Sequence, residues 1–155
     1  IPSSVAIIGT VAFYNCSNLT NVNIQSGLTI IGSSAFRECS SLTNITIPSS
    51  VTDIGMEAFK DCSNLTNVTI QSGLTSIGFA AFKGCSSLTN ITIPSSVTSI
   101  ECGAFAECSS LTNITIPSSV TTMEPEIFYR NTFNNSNSTI QIRRKPTKWL
   151  GFGME

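Results

Sequence analysis

One spacing constrains what this chain can fold into more than any other feature. Phe13, Phe36, Phe59, Phe82, Phe105 and Phe128 follow one another with a constant period of 23. The stretch Val51-Thr-Asp-Ile54-Gly-Met-Glu-Ala58-Phe59-Lys-Asp-Cys62-Ser-Asn-Leu65-Thr-Asn-Val68-Thr-Ile70 recurs around them with few changes. A fixed period of this length marks a solenoid, in which each unit buries its inner face against the next. A chain of 155 residues with 41% hydrophobic content would otherwise read as one compact domain; the repeat overrides that reading.

Within one unit the apolar spacing changes as the chain goes round. Val68 and Ile70 stand two apart, the spacing of a strand, so Asn67 and Thr69 point outward. The Pro-Ser-Ser or Gln-Ser-Gly segment that follows ends the strand and forms a corner. Val51 and Ile54 return to the interior in a short extended stretch. Ala58, Phe59, Cys62 and Leu65 then fall three or four apart, which predicts a helical turn, and Ser63 and Asn64 make a second corner. The expected fold is a repeat solenoid of 23-residue coils, with a parallel β-sheet on one face and short strand or helical turns on the other. A single coil, unable to bury its own inner face, is expected to be unfolded.

Residues 1–128 read as the array, about six coils with the first incomplete, because Ile1-Pro-Ser-Ser-Val5 aligns with Ile47-Pro-Ser-Ser-Val51. A double period of 46 is superimposed: Ile24-Gln-Ser-Gly-Leu28 and Ile70-Gln-Ser-Gly-Leu74 alternate with the Ile-Pro-Ser-Ser-Val form. Residues 129–155 read as a degenerate last coil, an extra strand around Ile140 and Ile142, and a C-terminal cap. The isoleucines of that strand are offset by 26 from Ile114 and Ile116, an insertion of three. Arg143, Arg144, Lys145, Lys148 and Trp149 are either a basic, aromatic contact patch or part of the cap. At the other end, the edges of Ile7, Ile8, Phe13 and Leu19 lack a covering coil. That end is expected to continue into a longer array or to self-associate, head to tail or in a two-fold pair.

Charged residues make up 11% of the chain, with a net charge of −1, less than half the share of an ordinary domain. That balance offers no field for nucleic acid, and no apolar run approaches the roughly 18 residues of a membrane span. The chain shows no signal peptide, and Ile1 is not an initiator residue, so a mature product or a fragment is expected. Cys16, Cys39, Cys62, Cys85 and Cys108 recur at the repeat period and are expected to form a buried, reduced ladder of packing thiols rather than bridges. Cys102 stands outside the ladder, either a reactive thiol or a small surface residue. With no His in the chain and no close cysteine pairs, neither a metal nor a cofactor is expected, and an enzyme lacks its commonest general base. Glu101, Glu107, Glu124 and Glu126 cluster loosely near the end, without the Asp-rich loop of a calcium site.

The candidate binding face is the outward side of the long sheet, where Asn44, Asn67, Asn90 and Asn113 form one row and Thr46, Thr69, Thr92 and Thr115 another, about 4.8 Å apart from coil to coil. These rows are either a contact surface for protein or glycan or an inert polar wall. Asn-x-Ser/Thr sequons recur on the same strands, where glycans on neighbouring coils would collide. Only corner and tail positions such as Asn18, Asn64 and Asn137 are expected to carry a glycan, if the chain meets a glycosylating compartment.

The pattern Ile-Pro-Ser-Ser-Val-Thr-x-Ile-Gly-x-x-Ala-Phe-x-x-Cys-Ser-Ser-Leu-Thr-x-Ile-x-Ile resembles the BspA-like, or Treponema-type, leucine-rich repeats. It does so from Ile1 to about Phe128, with local departures at Glu101 and Glu124 in place of Gly and at Asn131 in place of the next Cys. The resemblance implies a leucine-rich-repeat solenoid without enzyme activity, on the cell surface or secreted, and linked to adhesion through protein or glycan contacts. The alternative is a structural spacer, surface coat or self-assembling solenoid with no specific ligand.

Overall fold

The computed structural model describes residues 1–131 and, as backbone, the strands Thr139–Ile142 and Lys148–Trp149. In chain order the strands are β1 (Ile7–Ile8), β2 (Asn21–Val22), β3 (Ile30–Ile31), β4 (Asn44–Ile47), β5 (Asp53–Ile54), β6 (Asn67–Ile70), β7 (Ser76–Ile77), β8 (Asn90–Thr92), β9 (Ser99–Ile100), β10 (Asn113–Ile116), β11 (Thr122–Met123), β12 (Thr139–Ile142) and β13 (Lys148–Trp149). The odd-numbered strands form one seven-stranded parallel sheet. The even-numbered strands form two three-stranded parallel sheets, β2-β4-β6 and β8-β10-β12, with β6 lying beside β8 to continue the wall. The pairing offset is 23, as in Ile31↔Ile54 and Ile45↔Val68. At the C-terminal junctions the offset becomes 26, with Ile114 opposite Ile140 and Met123 opposite Trp149. The molecule is thus a parallel β-solenoid of 23-residue coils.

The third wall, residues 55–65 in the Phe59 coil, corrects one expectation. Ala58, Phe59, Cys62 and Leu65 do face inward, yet they lie on successive turns, and the described residues contain no helix. The reason lies in where the backbone donors go. The N–H groups of Ala58, Lys60 and Cys62 bond back to the carbonyls of Gly55, Glu57 and Phe59, whereas those of Glu57, Phe59 and Asp61 bond forward to Phe79, Ala81 and Lys83 in the next coil. A helix would keep every donor within its own coil and leave the neighbours unpaired. The alternation requires a left-handed residue twice per coil, at Glu57 (φ 55°) and Asp61 (φ 60°) and again at Ser34 and Glu38. Each left-handed non-glycine residue costs on the order of 1 kcal/mol, offset here by the ladder it permits.

Inside the three walls the rings of Phe13, Phe36, Phe59, Phe82 and Phe105 stack nearly parallel at 5.0, 5.3, 5.3 and 5.6 Å, and Phe128 follows at 6.1 Å. Leu, Ile and Val columns from the two strand walls fill the remainder, with no polar residue buried among the described residues.

The corners explain the double period. In the Gln-Ser-Gly form, the side-chain oxygens of Gln25 and Gln71 accept from the N–H of Ser3 and Ser49 in the preceding coil. The N–H groups of Gly27 and Gly73 donate to the hydroxyls of Ser50 and Ser96 in the following coil, each at 3.2 Å. A Cβ on Gly27 or Gly73 would overlap the carbonyl oxygen of Ser3 or Ser49, so the close approach demands glycine. Each form is therefore complementary to the other on both sides. The alternation lapses once: Pro117-Ser118-Ser119 follows Pro94-Ser95-Ser96, no glycine N–H is offered, and the Ser119 hydroxyl is buried without a hydrogen-bond partner. Ser50→Ala and Ser96→Ala are each expected to destabilise by about 1 kcal/mol, while Ser119→Ala should be neutral or stabilising. Urea midpoints of the three variants check this; equal losses at all three positions would remove the account of the corners.

Candidate recognition surfaces

The long-strand wall carries the expected rows. Asn44, Thr46, Asn67, Thr69, Asn90, Thr92 and Asn113 are exposed and Thr115 is half-buried, and the register sets Asn against Asn and Thr against Thr. Part of this chemistry is already used internally. The amides of Asn44, Asn90 and Asn113 donate to the hydroxyls of Thr43, Thr89 and Thr112 at 3.0 to 3.3 Å. The hydroxyls of Thr43, Thr66 and Thr112 in turn donate to the Thr20, Thr43 and Thr89 carbonyls of the coil before. Ahead of the short strands Thr52, Thr75, Thr98 and Thr121 make a second such ladder, each hydroxyl donating to the threonine carbonyl at the same place in the preceding coil. A β-branched residue suits the strand and its hydroxyl adds a bond between coils. Sequence reading missed these ladders, although their signal, an unbroken Thr column, is plain.

The turn wall is chemically different. Apart from Asp53, every charged side chain up to Asn131 lies on it, as do the exposed Val11, Tyr14, Met56, Phe79 and Tyr129. Toward the N-terminal end Arg37 sits over the Tyr14 ring at 5.9 Å and pairs with Glu38 and Glu57. Lys60 pairs with Glu57 at 2.9 Å, and Lys83 with Glu107 at 3.6 Å. Burial works against the Glu57 carboxylate, but Lys60 and Arg37 outweigh it and hold the group below its usual range.

Toward the C-terminal end the wall changes in character. In earlier coils glycine occupies the first position of the turn wall, and a Cβ on Gly78 would come 2.6 Å from the Ile54 carbonyl oxygen. Glu101 and Glu124 occupy this place in the next two coils. Their carboxylates accept from the Phe79 and Cys102 N–H groups at 2.8 and 2.9 Å. The two widest phenylalanine spacings, 5.6 and 6.1 Å, fall at these two junctions. Along the wall here lies a cleft of about 190 Å³, floored by the small residues Ala80, Gly103 and Ala106 and edged by Glu57, Lys60, Phe79, Lys83, Cys102, Glu126 and Tyr129. The loose acidic cluster seen in the sequence is thereby divided, Glu101 and Glu124 capping backbone while Glu126 faces the cleft.

The thiol ladder holds from Cys39 onward. Cys39, Cys62, Cys85 and Cys108 are free and buried, and each Sγ lies 3.1 to 3.2 Å from the carbonyl oxygen of the phenylalanine in the preceding coil, to which it donates. Asn131, at the next cysteine place, sends its amide to the Phe105 carbonyl at 2.9 Å. The ladder thus has a hydrogen-bonding function that an amide can take over. Cys16 departs from the expectation: it is exposed, because no described coil stands before it to supply the carbonyl and the cover. Burial pushes the Cys39 thiol up to about 11 and Cys108 to about 12, and raises Cys62 and Cys85 as well. Cys102 is half-buried. Burial and the neighbouring Glu126 and Glu124 raise its pKa too, which argues against a reactive thiolate there.

Asn18 and Asn64 are exposed beside the corners. Arg143, Arg144, Lys145 and Asn137 lie outside the described residues, and Lys148 and Trp149 are described only as strand backbone paired to Thr122 and Met123.

The BspA type leucine rich repeat region matches in six copies across residues 1–89 and 75–146. The chain belongs to this family. It is similar to a leucine rich cell surface protein from Faecalibacterium prausnitzii, with 44% identity over 90% of the chain and a TM-score of 0.79, and it spans 37% of that protein's structure. A leucine rich repeat protein of T. pallidum is 25% identical over 83% of the chain and 79% of its own, with a TM-score of 0.65. The pneumococcal vaccine antigen PcpA, 23% identical over 74% of this chain and 37% of its own with a TM-score of 0.56, shares the fold. Among curated protein sequences no relative matches. No helix among the described residues is long and apolar enough to cross a membrane.

Two measurements follow from the thiols. Native-state alkylation should label Cys16 first and Cys102 more slowly, with the four ladder thiols reacting only on denaturation; rapid labelling of Cys62 or Cys85 would show the turn wall to be wrongly placed. Because a folded-state thiol pKa above the unfolded value of 9.0 means that only the unfolded chain releases its protons, the thiol contribution to stability is complete below about pH 9 and declines above it. Each deeply buried thiol, Cys62, Cys85 and Cys108, should remove about 1 kcal/mol by pH 10, read as a falling urea midpoint.

Proposed function

We propose that this chain is a non-enzymatic recognition module of a surface or secreted protein, contributing to adhesion through contacts with a protein or glycan. The observation that carries this reading is the 44% identity, over 90% of the chain, to a cell surface protein of the same repeat family. The geometry supports it, since a stack of paired coils presents long, rigid walls. The long-strand rows Asn44 to Asn113 and Thr46 to Thr115 are one candidate contact surface and the turn wall is the other. The Arg143, Arg144, Lys145, Lys148 and Trp149 segment is a third, basic candidate, and Asn18, Asn64 and Asn137 are the candidate glycan acceptors.

A second reading, a spacer or self-associating coat, is favoured by one observation: the Asn and Thr rows are uniform, and the Asn44, Asn90 and Asn113 amides are taken up by neighbouring threonine hydroxyls. Such uniformity is explained by the fold without any ligand. Adhesion of the chain to cells and matrix separates the two. The recognition reading expects saturable, competable binding, and non-saturable binding at every concentration would support the spacer. Replacing Asn67, Thr69, Asn90 and Thr92 by Lys then locates the contact: loss of binding by a folded variant assigns it to the long-strand wall, and retention assigns it to another surface.

A further inference from the structure

The repeat permits a comparison of the molecule with itself. One column of the turn wall reads Tyr14, Arg37, Lys60, Lys83, Ala106, Tyr129, and the column into which Arg37 reaches, in the following coil, reads Glu57 at that place and Glu126 in the last described coil. Arg37 therefore stands to Glu57 as Ala106 stands to Glu126. In the first case the guanidinium lies over an aromatic ring, Tyr14, and pairs with the carboxylate. In the second Ala106 supplies only a methyl group, Lys83 stands at the place of Tyr14 and pairs with Glu107, Glu126 makes no ion pair among the described residues, and the aromatic rings of Phe79 and Tyr129 edge the space from other places. The small residues Ala80, Gly103 and Ala106 leave that space open.

We propose that the cleft over Ala106 is an anchor for one arginine side chain of a protein partner, its guanidinium against Glu126 and its flat face on the Phe79 and Tyr129 edge. This deepens the recognition reading and rests on it. The size is right for a single side chain: about 190 Å³ lies below the roughly 300 Å³ at which small-molecule pockets begin. A planar guanidinium combines stacking on aromatics with a directed bond to carboxylate, a combination the compact ammonium of lysine lacks. The charged residues that line the cleft are Glu57, Lys60, Lys83 and Glu126, and Lys60 is matched by Glu57 at 2.9 Å. Lys83 is matched by Glu107 and Arg130 lies on the Tyr129 ring at 5.2 Å, so an incoming cation meets the carboxylate of Glu126. An anchor of this kind, an arginine seated beside aromatics, is a common centre of binding energy in protein interfaces.

The test uses amide resonances of the ¹⁵N-labelled chain titrated with N-acetyl-Gly-Arg-Gly-amide and with its citrulline counterpart, which keeps shape and loses charge. The arginine peptide should shift Phe79, Gly103, Ala106, Glu126 and Tyr129, with citrulline about tenfold weaker. Glu126→Gln should weaken the arginine peptide by a similar factor. Ala106→Arg, which fills the place from within the chain as Arg37 does, should abolish the shifts in a protein whose remaining spectrum is unchanged. Equal response to both peptides, shifts confined to the long-strand wall, or full binding by Ala106→Arg would overturn the anchor. Its failure differs from failure of the recognition reading: saturable adhesion without peptide shifts removes the anchor alone, and peptide shifts without adhesion keep the anchor and remove adhesion.

Discussion

Backbone pairing between coils at a constant offset is the constraint on which the rest of this structure depends. On the strand walls it is ordinary parallel pairing, Ile31 to Ile54 and Ile45 to Val68. On the turn wall it survives only because every second N–H is passed forward to the next coil while the others close turns. A coil taken from its neighbours would leave these groups to water and its phenylalanine ring uncovered, so stability belongs to the stack and not to its parts. Left-handed residues at two places per coil, almost all of them not glycine, show that the ladder outweighs local backbone preference.

Side chains extend that pairing where the backbone turns away from it. Threonine hydroxyls reach back to the preceding carbonyl along two columns, cysteine thiols do so beneath the phenylalanines, and glutamine, serine and glycine exchange bonds at alternate corners. Asn131 in the cysteine place and the orphaned Ser119 hydroxyl are the two informative exceptions. The first shows that the place needs a donor rather than sulfur. The second shows what happens when two corners of the same kind become neighbours.

This division of labour bears on function. Columns that bond between coils are uniform, as the threonines ahead of both sets of strands are, and the Asn row of the long-strand wall bonds to one of them through Asn44, Asn90 and Asn113. The exposed columns of the turn wall vary from coil to coil, and they carry almost all of the charge and most of the exposed apolar side chains up to Asn131. Specificity requires surface chemistry that differs from one place to the next, and in this molecule the turn wall has it. The two glutamates that replace glycine do more than change charge, since each accepts a backbone N–H of the preceding coil, and beside them small residues in the turn-wall columns, Ala80, Gly103 and Ala106, leave a cleft.

The 23-residue period by itself determined the solenoid, the inward-facing residues and the corner positions, because burial in a stacked array repeats wherever the sequence repeats. Val68 and Ile70 read as a strand from their spacing alone, and they form one. The spacing of Ala58, Phe59, Cys62 and Leu65 correctly marked an inner face but suggested a helical turn, since spacing cannot tell donors closed within a coil from donors given to the next. Only the tertiary structure decided that, along with the exposure of Cys16, the reason for the 46-residue alternation, the partners of the threonine columns and the cleft over Ala106. Each of these depends on groups from neighbouring coils meeting at hydrogen-bond or van der Waals distance, and the offset of each meeting is set by the path of the coil rather than by any local pattern of residues.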